Sequence, residues 1–122
     1  MHKLSFNSRI ESKFLTSAPN LSKCPEPKTA EVAFAGRSNA GKSSVLNQIT
    51  GNKSLAKVSK TPCRTQMLNF FESKAGGYLV DLPGYGYAKT SKADQIAWQK
   101  SVNEYIYFRE KLRALVLVMD IR

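Results

Sequence analysis

Lys42 and Ser43 close the segment GRSNAGKS, residues 36–43, whose residue types suit one task, the holding of phosphate. The pattern is G-x-x-x-x-G-K-[ST]. Gly36 and Gly41 let the backbone turn tightly and approach an anion without a Cβ in the way. The amides of the loop and of the helix that follows face that anion. Lys42 reaches the outer phosphates of a nucleotide, and the Ser43 hydroxyl suits Mg²⁺. The bland alternative is a glycine-rich turn of the same spelling. Asp81 is a second chemical group. It ends an apolar strand pattern and opens Asp-Leu-Pro-Gly, so its carboxylate can hold Mg²⁺ opposite Ser43 while the Gly84 amide meets a γ-phosphate. The alternative there is an ordinary Pro-Gly turn. Thr61 and Thr65 supply a third group, hydroxyls in a polar stretch that can complete a metal site and release it. Thr65 is the stronger candidate because it stands just before a strand, whereas Thr61 precedes Pro62 and can serve the turn instead.

These groups need elements to position them. Residues 31–35 read as a strand entering the phosphate loop, and residues 43–50 as a helix leaving it, with Val45, Leu46 and Ile49 on one face and Gly51 as its stop. Residues 52–65 read as a long loop. Residues 66–73 and 78–80 read as strands joined by a turn at 74–77, so 66–81 is expected to be a β-hairpin. Trp98, Val102, Tyr105, Phe108 and Leu112 repeat at helical spacing and predict a helix over 93–113. The apolar run 114–119 reads as a buried parallel strand. Residues 1–28 read as an extended N-terminal segment lying on the domain. The expected fold is α/β, a P-loop three-layer sandwich. A last strand so apolar needs cover on both faces, so residues 29–122 are expected to be the N-terminal part of a longer domain.

Composition narrows the partners. Nineteen Lys and Arg against nine Asp and Glu give a net charge of +10, spread along the chain, which favours polyanions such as nucleic acid, a ribosome or an anionic surface over a neutral partner. At 42% hydrophobic residues, wholesale disorder is excluded. No apolar run is long enough to span a bilayer, and no secretory signal is visible. Cys24 and Cys63 lack metal-site spacing and read as free thiols of a reducing cytoplasm.

The segments GRSNAGKSS, SKTPCRTQ, VDLPGYGYA and LVLVMDIR closely resemble those of the EngB (YihA/YsxC) family of bacterial GTPases, in the translation-factor-related class. The resemblance runs from Glu31 to Arg122. It implies a cytoplasmic, Mg²⁺-dependent GTPase that binds GTP and GDP, assists large ribosomal subunit assembly by contact with rRNA and ribosomal proteins, and is linked to cell division and septation. Carried onto this chain, Gly36, Arg37, Ser38, Asn39, Ala40, Gly41, Lys42 and Ser43 would hold the phosphates. Ser43 and Thr65 would ligate Mg²⁺. Cys63, Arg64, Thr65, Gln66 and Met67 would form one switch segment, and Asp81, Leu82, Pro83 and Gly84 the other. Cys63 departs from the family, which carries Gly there. The family's guanine-reading N/T-K-x-D motif does not occur in these 122 residues, so the choice of base rests on the resemblance.

Lys42, Asn39, Thr65 and Gly84 are the residues expected to act in hydrolysis. Many small GTPases place Gln after D-x-x-G to orient water. Tyr85 stands there in this chain, so slow intrinsic hydrolysis is expected. In related GTPases an Asn at the place of Asn39 helps bind K⁺, and the same is implied here; Asn39 can also simply brace the loop. The competing classes are an ATP-using P-loop enzyme and a non-hydrolysing RNA-binding module.

Overall fold

The computed structural model describes residues 9–36, 41–60, 64–84 and 91–119. Five strands, β1 (Ser12–Ala18), β2 (Glu31–Gly36), β3 (Leu68–Ser73), β4 (Tyr78–Asp81) and β5 (Leu112–Val118), form one sheet in the order β1-β3-β4-β2-β5. β2 pairs parallel with β4 and β5, and β3 pairs antiparallel with β1 and β4. The interior position of β2 follows from its residues. Val32, Ala33, Phe34 and Ala35 offer apolar groups to both faces, as a strand covered on both sides must.

Helix α1 (Lys42–Thr50) packs on one face and helix α2 (Lys92–Phe108) on the other. The α1 face gathers Phe34, Leu46, Leu55, Ala56, Phe71 and Leu79, with Val45, Ile49 and Phe14 against them. The α2 face gathers Ala33, Leu68, Phe70, Tyr78, Val80, Leu82 and Tyr105. Strand alternation sorts the two sets. The result is the expected three-layer α/β arrangement. α1 begins at Gly41, whose φ of 91° only glycine adopts easily, and ends at Gly51, whose amide returns to the Asn47 and Gln48 carbonyls. Ser91 caps α2 by accepting from the Asp94 amide at 3.1 Å.

Four features differ most from the sequence reading. Within 1–28, residues 12–18 pair along β3 as an edge strand. Its alternation is half-exposed and broken by an irregularity between Phe14 and Thr16, which hides the period of two. Within the expected loop 52–65, Leu55–Lys60 form a 3₁₀ segment that buries Leu55 and Ala56 beside α1. Asn47 holds it, accepting from the Ala56 amide at 3.0 Å and donating to the Lys53 carbonyl at 3.1 Å. The second helix stops at Phe108, not 113. Phe108 is exposed, and Leu112 already belongs to β5. The step of four between them matched a helix by coincidence. β5 is parallel as expected but lies uncovered in this chain, at the sheet edge opposite β1: Leu115 and Leu117, and Met119 just after the strand, are 45%, 56% and 66% exposed.

Candidate functional site

β2 and β4 run parallel, so Gly36 and Asp81 finish at the same end of the sheet, where open α/β sheets take their ligands. One further ladder bond, from the Leu82 amide to the Phe34 carbonyl at 3.0 Å, carries the Asp-Leu-Pro-Gly backbone past β4 and keeps it beside β2. Residues 81–84 are all buried. On the other side of β2, the Gly36 backbone meets β5. A Cβ at Gly36 would stand 2.7 Å from the Val118 carbonyl oxygen, so this glycine is required by close approach. At Gly41, among the described residues, nothing beyond its chain neighbours lies within 4 Å of where a Cβ would stand.

Lys42 starts α1 and reaches back over the sheet. Its Nζ lies 2.8 Å from Asp81 Oδ1 and also donates to the Leu82 carbonyl. The two side chains are 11% and 6% exposed, so this is a nearly dehydrated ion pair. Each neutralises the other, and an anionic ligand or a cation arriving here competes for one partner. Ser43 shares the first helical turn with Lys42 and is half-buried.

Thr65 sits in the turn formed by residues 64–67, closed by the Met67 amide on the Arg64 carbonyl at 3.1 Å. Asn69 holds that turn, and Asn69 is the cross-strand partner of Asp81. The Arg64 guanidinium lies over the Phe14 ring of β1 at 4.6 Å, a cation–π contact. Thus Lys42, Asp81 and Leu82 meet directly, Gly36 lines the same cleft as Leu82, and Thr65 is placed through β3. Sequence reasoning missed Asn69, Ser17 and Phe14. The one available signal was an amide in the apolar run Leu68-Asn69-Phe70-Phe71. Arg37, Ser38, Asn39, Ala40, Thr61, Cys63 and Tyr85 lie outside the described residues.

The donors fit magnesium held on phosphate. Ser43, Thr65 and Asp81 offer hard oxygens. Among the described residues no three His, Cys, Asp or Glu cluster as a metal cage would. A metal here would take its remaining ligands from phosphate and water, which is the habit of Mg²⁺. A cleft of ≈ 420 Å³ beside the site runs from Gly36, Leu82 and Pro83 to Trp98 and Val102 of α2. A larger cavity, ≈ 520 Å³, lies at the opposite sheet end, beside the Lys28–Glu72 and Lys74–Glu11 pairs at 2.6 and 3.4 Å. Its carboxylates already face ammonium groups, and it holds no carboxyl end of the parallel strands β2, β4 and β5, so chemistry rather than size selects the smaller cleft.

A lysine at a helix start, directly after a left-handed glycine and facing a carboxylate on a parallel strand, defines the class of P-loop nucleotide-binding α/β proteins. A family model described as "50S ribosome-binding GTPase" matches residues 31–122. The chain belongs to that family. It is 59% identical over 111 residues to a "Probable GTP-binding protein EngB" of Hamiltonella defensa, covering 91% of this chain and 54% of the relative. The protein so named in Haemophilus influenzae is 56% identical over 112 residues, covering 92% and 55%. A solved structure, "Crystal structure of a probable GTP-binding protein engB", aligns with a TM-score of 0.63 at 31% identity over 75% of this chain and 49% of its own. The resemblance drawn from the motifs is therefore borne out. The chain spans about half the length of the curated relatives it matches.

Proposed function

We propose that this chain carries the phosphate- and magnesium-binding half of a GTPase switch that assists assembly of the large ribosomal subunit, in the cytoplasm, with consequences for cell division and septation. On this reading residues 29–122 are the N-terminal part of the GTP-binding domain, and residues 1–28 lead into it. The observation that supports it best is the Lys42–Asp81 pair. An ammonium with a nearly dehydrated carboxylate partner is a stored cation. Bound phosphate would compete with Asp81 and the Leu82 carbonyl for Lys42, and the Asp81 carboxylate would then be available to a divalent cation. When bound, Mg²⁺ would be held by the Ser43 and Thr65 hydroxyls and would neutralise phosphate charge. Gly41 leaves the helix amides open to the same anion, and Gly84 offers its amide beside them. Arg37, Ser38, Asn39 and Ala40 complete the cradle, and K⁺ at Asn39 belongs to the same proposal. Cys63, Arg64, Thr65, Gln66 and Met67 form the switch segment near the nucleotide.

The +10 charge supports an RNA partner. Lys53, Lys57, Lys60 and Arg64 stand in the sequence next to the switch segment and are its proposed contacts. Among the described residues no helix is long and apolar enough to cross a membrane. The deciding experiment uses the full-length protein. GTP and GDP should bind at least about 100-fold more tightly than ATP, and association with the large subunit should weaken steeply with salt. Equal affinity for ATP would point to an ATP-using enzyme. Ribosome binding without single-turnover hydrolysis would point to an RNA-binding module.

A further inference from the structure

Asn69 occupies a position where a strand would ordinarily carry an apolar group. It stands between Leu68 and Phe70 in β3 and is 2% exposed. A buried amide is costly unless its donors and acceptor are satisfied. Here both donors are spent on one object. Nδ2 donates to the Arg64 carbonyl at 2.9 Å and to the Met67 carbonyl at 3.2 Å. Both neighbours are acceptors, so the amide nitrogen must face them. Oδ1 accepts from the Ser17 hydroxyl of β1 at 2.5 Å. Arg64 and Met67 are the first and last residues of the turn that contains Thr65. The turn is thus closed by its own backbone bond and tied at both ends to one side chain.

The placement of that side chain is specific. Ser17, Asn69, Asp81 and Phe34 are successive cross-strand partners, so they form one row across the sheet. Cross-strand partners share a face, which puts the Asn69 amide in line with the carboxylate that meets Lys42. A second tie comes from β1, where Phe14 carries the Arg64 guanidinium. A leucine or valine would fill the strand position with better propensity and no buried polar atoms. Only an amide of this length both grips two carbonyls and takes a hydroxyl from behind.

We propose that Asn69, locked by Ser17, is a positioning residue for Thr65: it holds the 64–67 turn in register with Asp81, so that the Thr65 hydroxyl meets the magnesium site with little conformational freedom left to lose. The inference rests on the reading of Thr65 as a magnesium ligand. It gives β1 a functional role, because the strand braces the switch turn through Ser17 and Phe14.

The test uses the full-length protein and two readouts. One is GDP affinity with Mg²⁺ chelated. The other is the Mg²⁺ concentration that half-maximally retains a non-hydrolysable GTP analogue. Asn69→Ala should leave the first within about twofold and raise the second about tenfold, as expected for two lost hydrogen bonds. Ser17→Ala should raise the second about threefold. Thr65→Ala should raise it at least as far as Asn69→Ala, and Asn69→Ala should add nothing to Thr65→Ala. If Thr65→Ala raises the requirement and neither Asn69→Ala nor Ser17→Ala does, the positioning role is overturned and the ligand reading stands. If Thr65→Ala has no effect, the ligand reading falls and takes the inference with it. Equal losses in both readouts for Asn69→Ala would mark a general structural role and overturn the proposal. Should Asn69→Ala fail to fold, Ser17→Ala decides on the same readouts, because it leaves Asn69 in place.

Discussion

Two buried carboxylate–cation pairs stand at opposite ends of the same sheet, and they are built differently. Glu31 begins β2 and Asp81 ends β4. Glu31 is met by Arg109, whose Nε lies 3.0 and 2.8 Å from the two carboxylate oxygens, and whose second nitrogen lies 2.7 Å from Oε2. The Tyr105 hydroxyl donates to Glu31 at 2.8 Å, and Arg109 also donates to the Pro25 carbonyl at 2.7 Å and lies over Phe70. Burial, then the bond to Glu31, pushes the Tyr105 phenol far above its ordinary range, so it remains a donor. Asp81 is met by the ammonium of Lys42. A planar guanidinium fork with a tyrosine beside it is preorganised and hard to exchange, whereas an ammonium on a flexible stem is a point charge that swings to a new anion. The same attraction therefore makes a clamp at one end and an exchangeable contact at the other. The clamp joins β2, α2 and the 19–28 segment, which is also tied by Ser101 to the Pro19 carbonyl and by Tyr78 to the Glu26 carbonyl, both at 2.9 Å.

Breaking the clamp should have the largest effect. Glu31→Ala or Arg109→Ala leaves an uncompensated buried charge and should cost about 3–5 kcal/mol in chemical denaturation. The double variant Glu31→Leu with Arg109→Leu should cost less than either single change. A double variant as unstable as the sum of the two would refute the clamp. At the other end, Lys42→Ala should lower nucleotide affinity by about 100-fold or more in calorimetry, through loss of a charge-assisted phosphate contact. It should disturb stability less than Arg109→Ala; the reverse order would mean that Lys42 is structural.

Gly36→Ala sharpens the contrast within the phosphate-loop end. The added methyl collides with the Val118 carbonyl and should cost about 1–3 kcal/mol, read as a lowered denaturation midpoint. Gly41→Ala meets no atom of the other described residues and should cost about 1 kcal/mol of backbone strain. Equal costs would remove β5 from the argument. The smallest effect lies beside the clamp. Burial pushes the Cys24 thiol from 9.0 to about 11, against a lowering by Arg109. At pH 8 its thiolate fraction should fall about 100-fold, and alkylation mapped by mass spectrometry should be correspondingly slow. The folded thiol holds its proton more tightly than the unfolded one, so this group withdraws stability as pH rises from about 9 to about 11. Fast alkylation at pH 8 would mean that the clamp end opens.

The candidate site was largely legible because its chemistry is local. Gly36, Gly41, Lys42 and Ser43 lie within eight residues, and loop, strand and helix must follow one another for those types to make sense. Asp81 was legible because a strand pattern stops there. Asn69 was not, since an amide in an apolar strand carries no sign of which carbonyls it will meet. β1 was missed because an edge strand with a broken register is half polar. The helix end was missed because periodicity does not register that Arg109 is pulled to Glu31.

The sequence by itself thus determined the phosphate-holding segment, the order of the later strands and helices, and the three-layer class. Those depend on residue type and on spacing along the chain. Only the tertiary structure decided that Lys42 rests on Asp81, that β1 braces the Thr65 turn through Asn69, and that Glu31, Tyr105 and Arg109 close the other end. The Lys42–Asp81, Ser17–Asn69 and Glu31–Arg109 contacts join residues 39, 52 and 78 positions apart in the chain. Their partners are chosen by strand register and by the loss of water around each charge, and neither is written in local pattern.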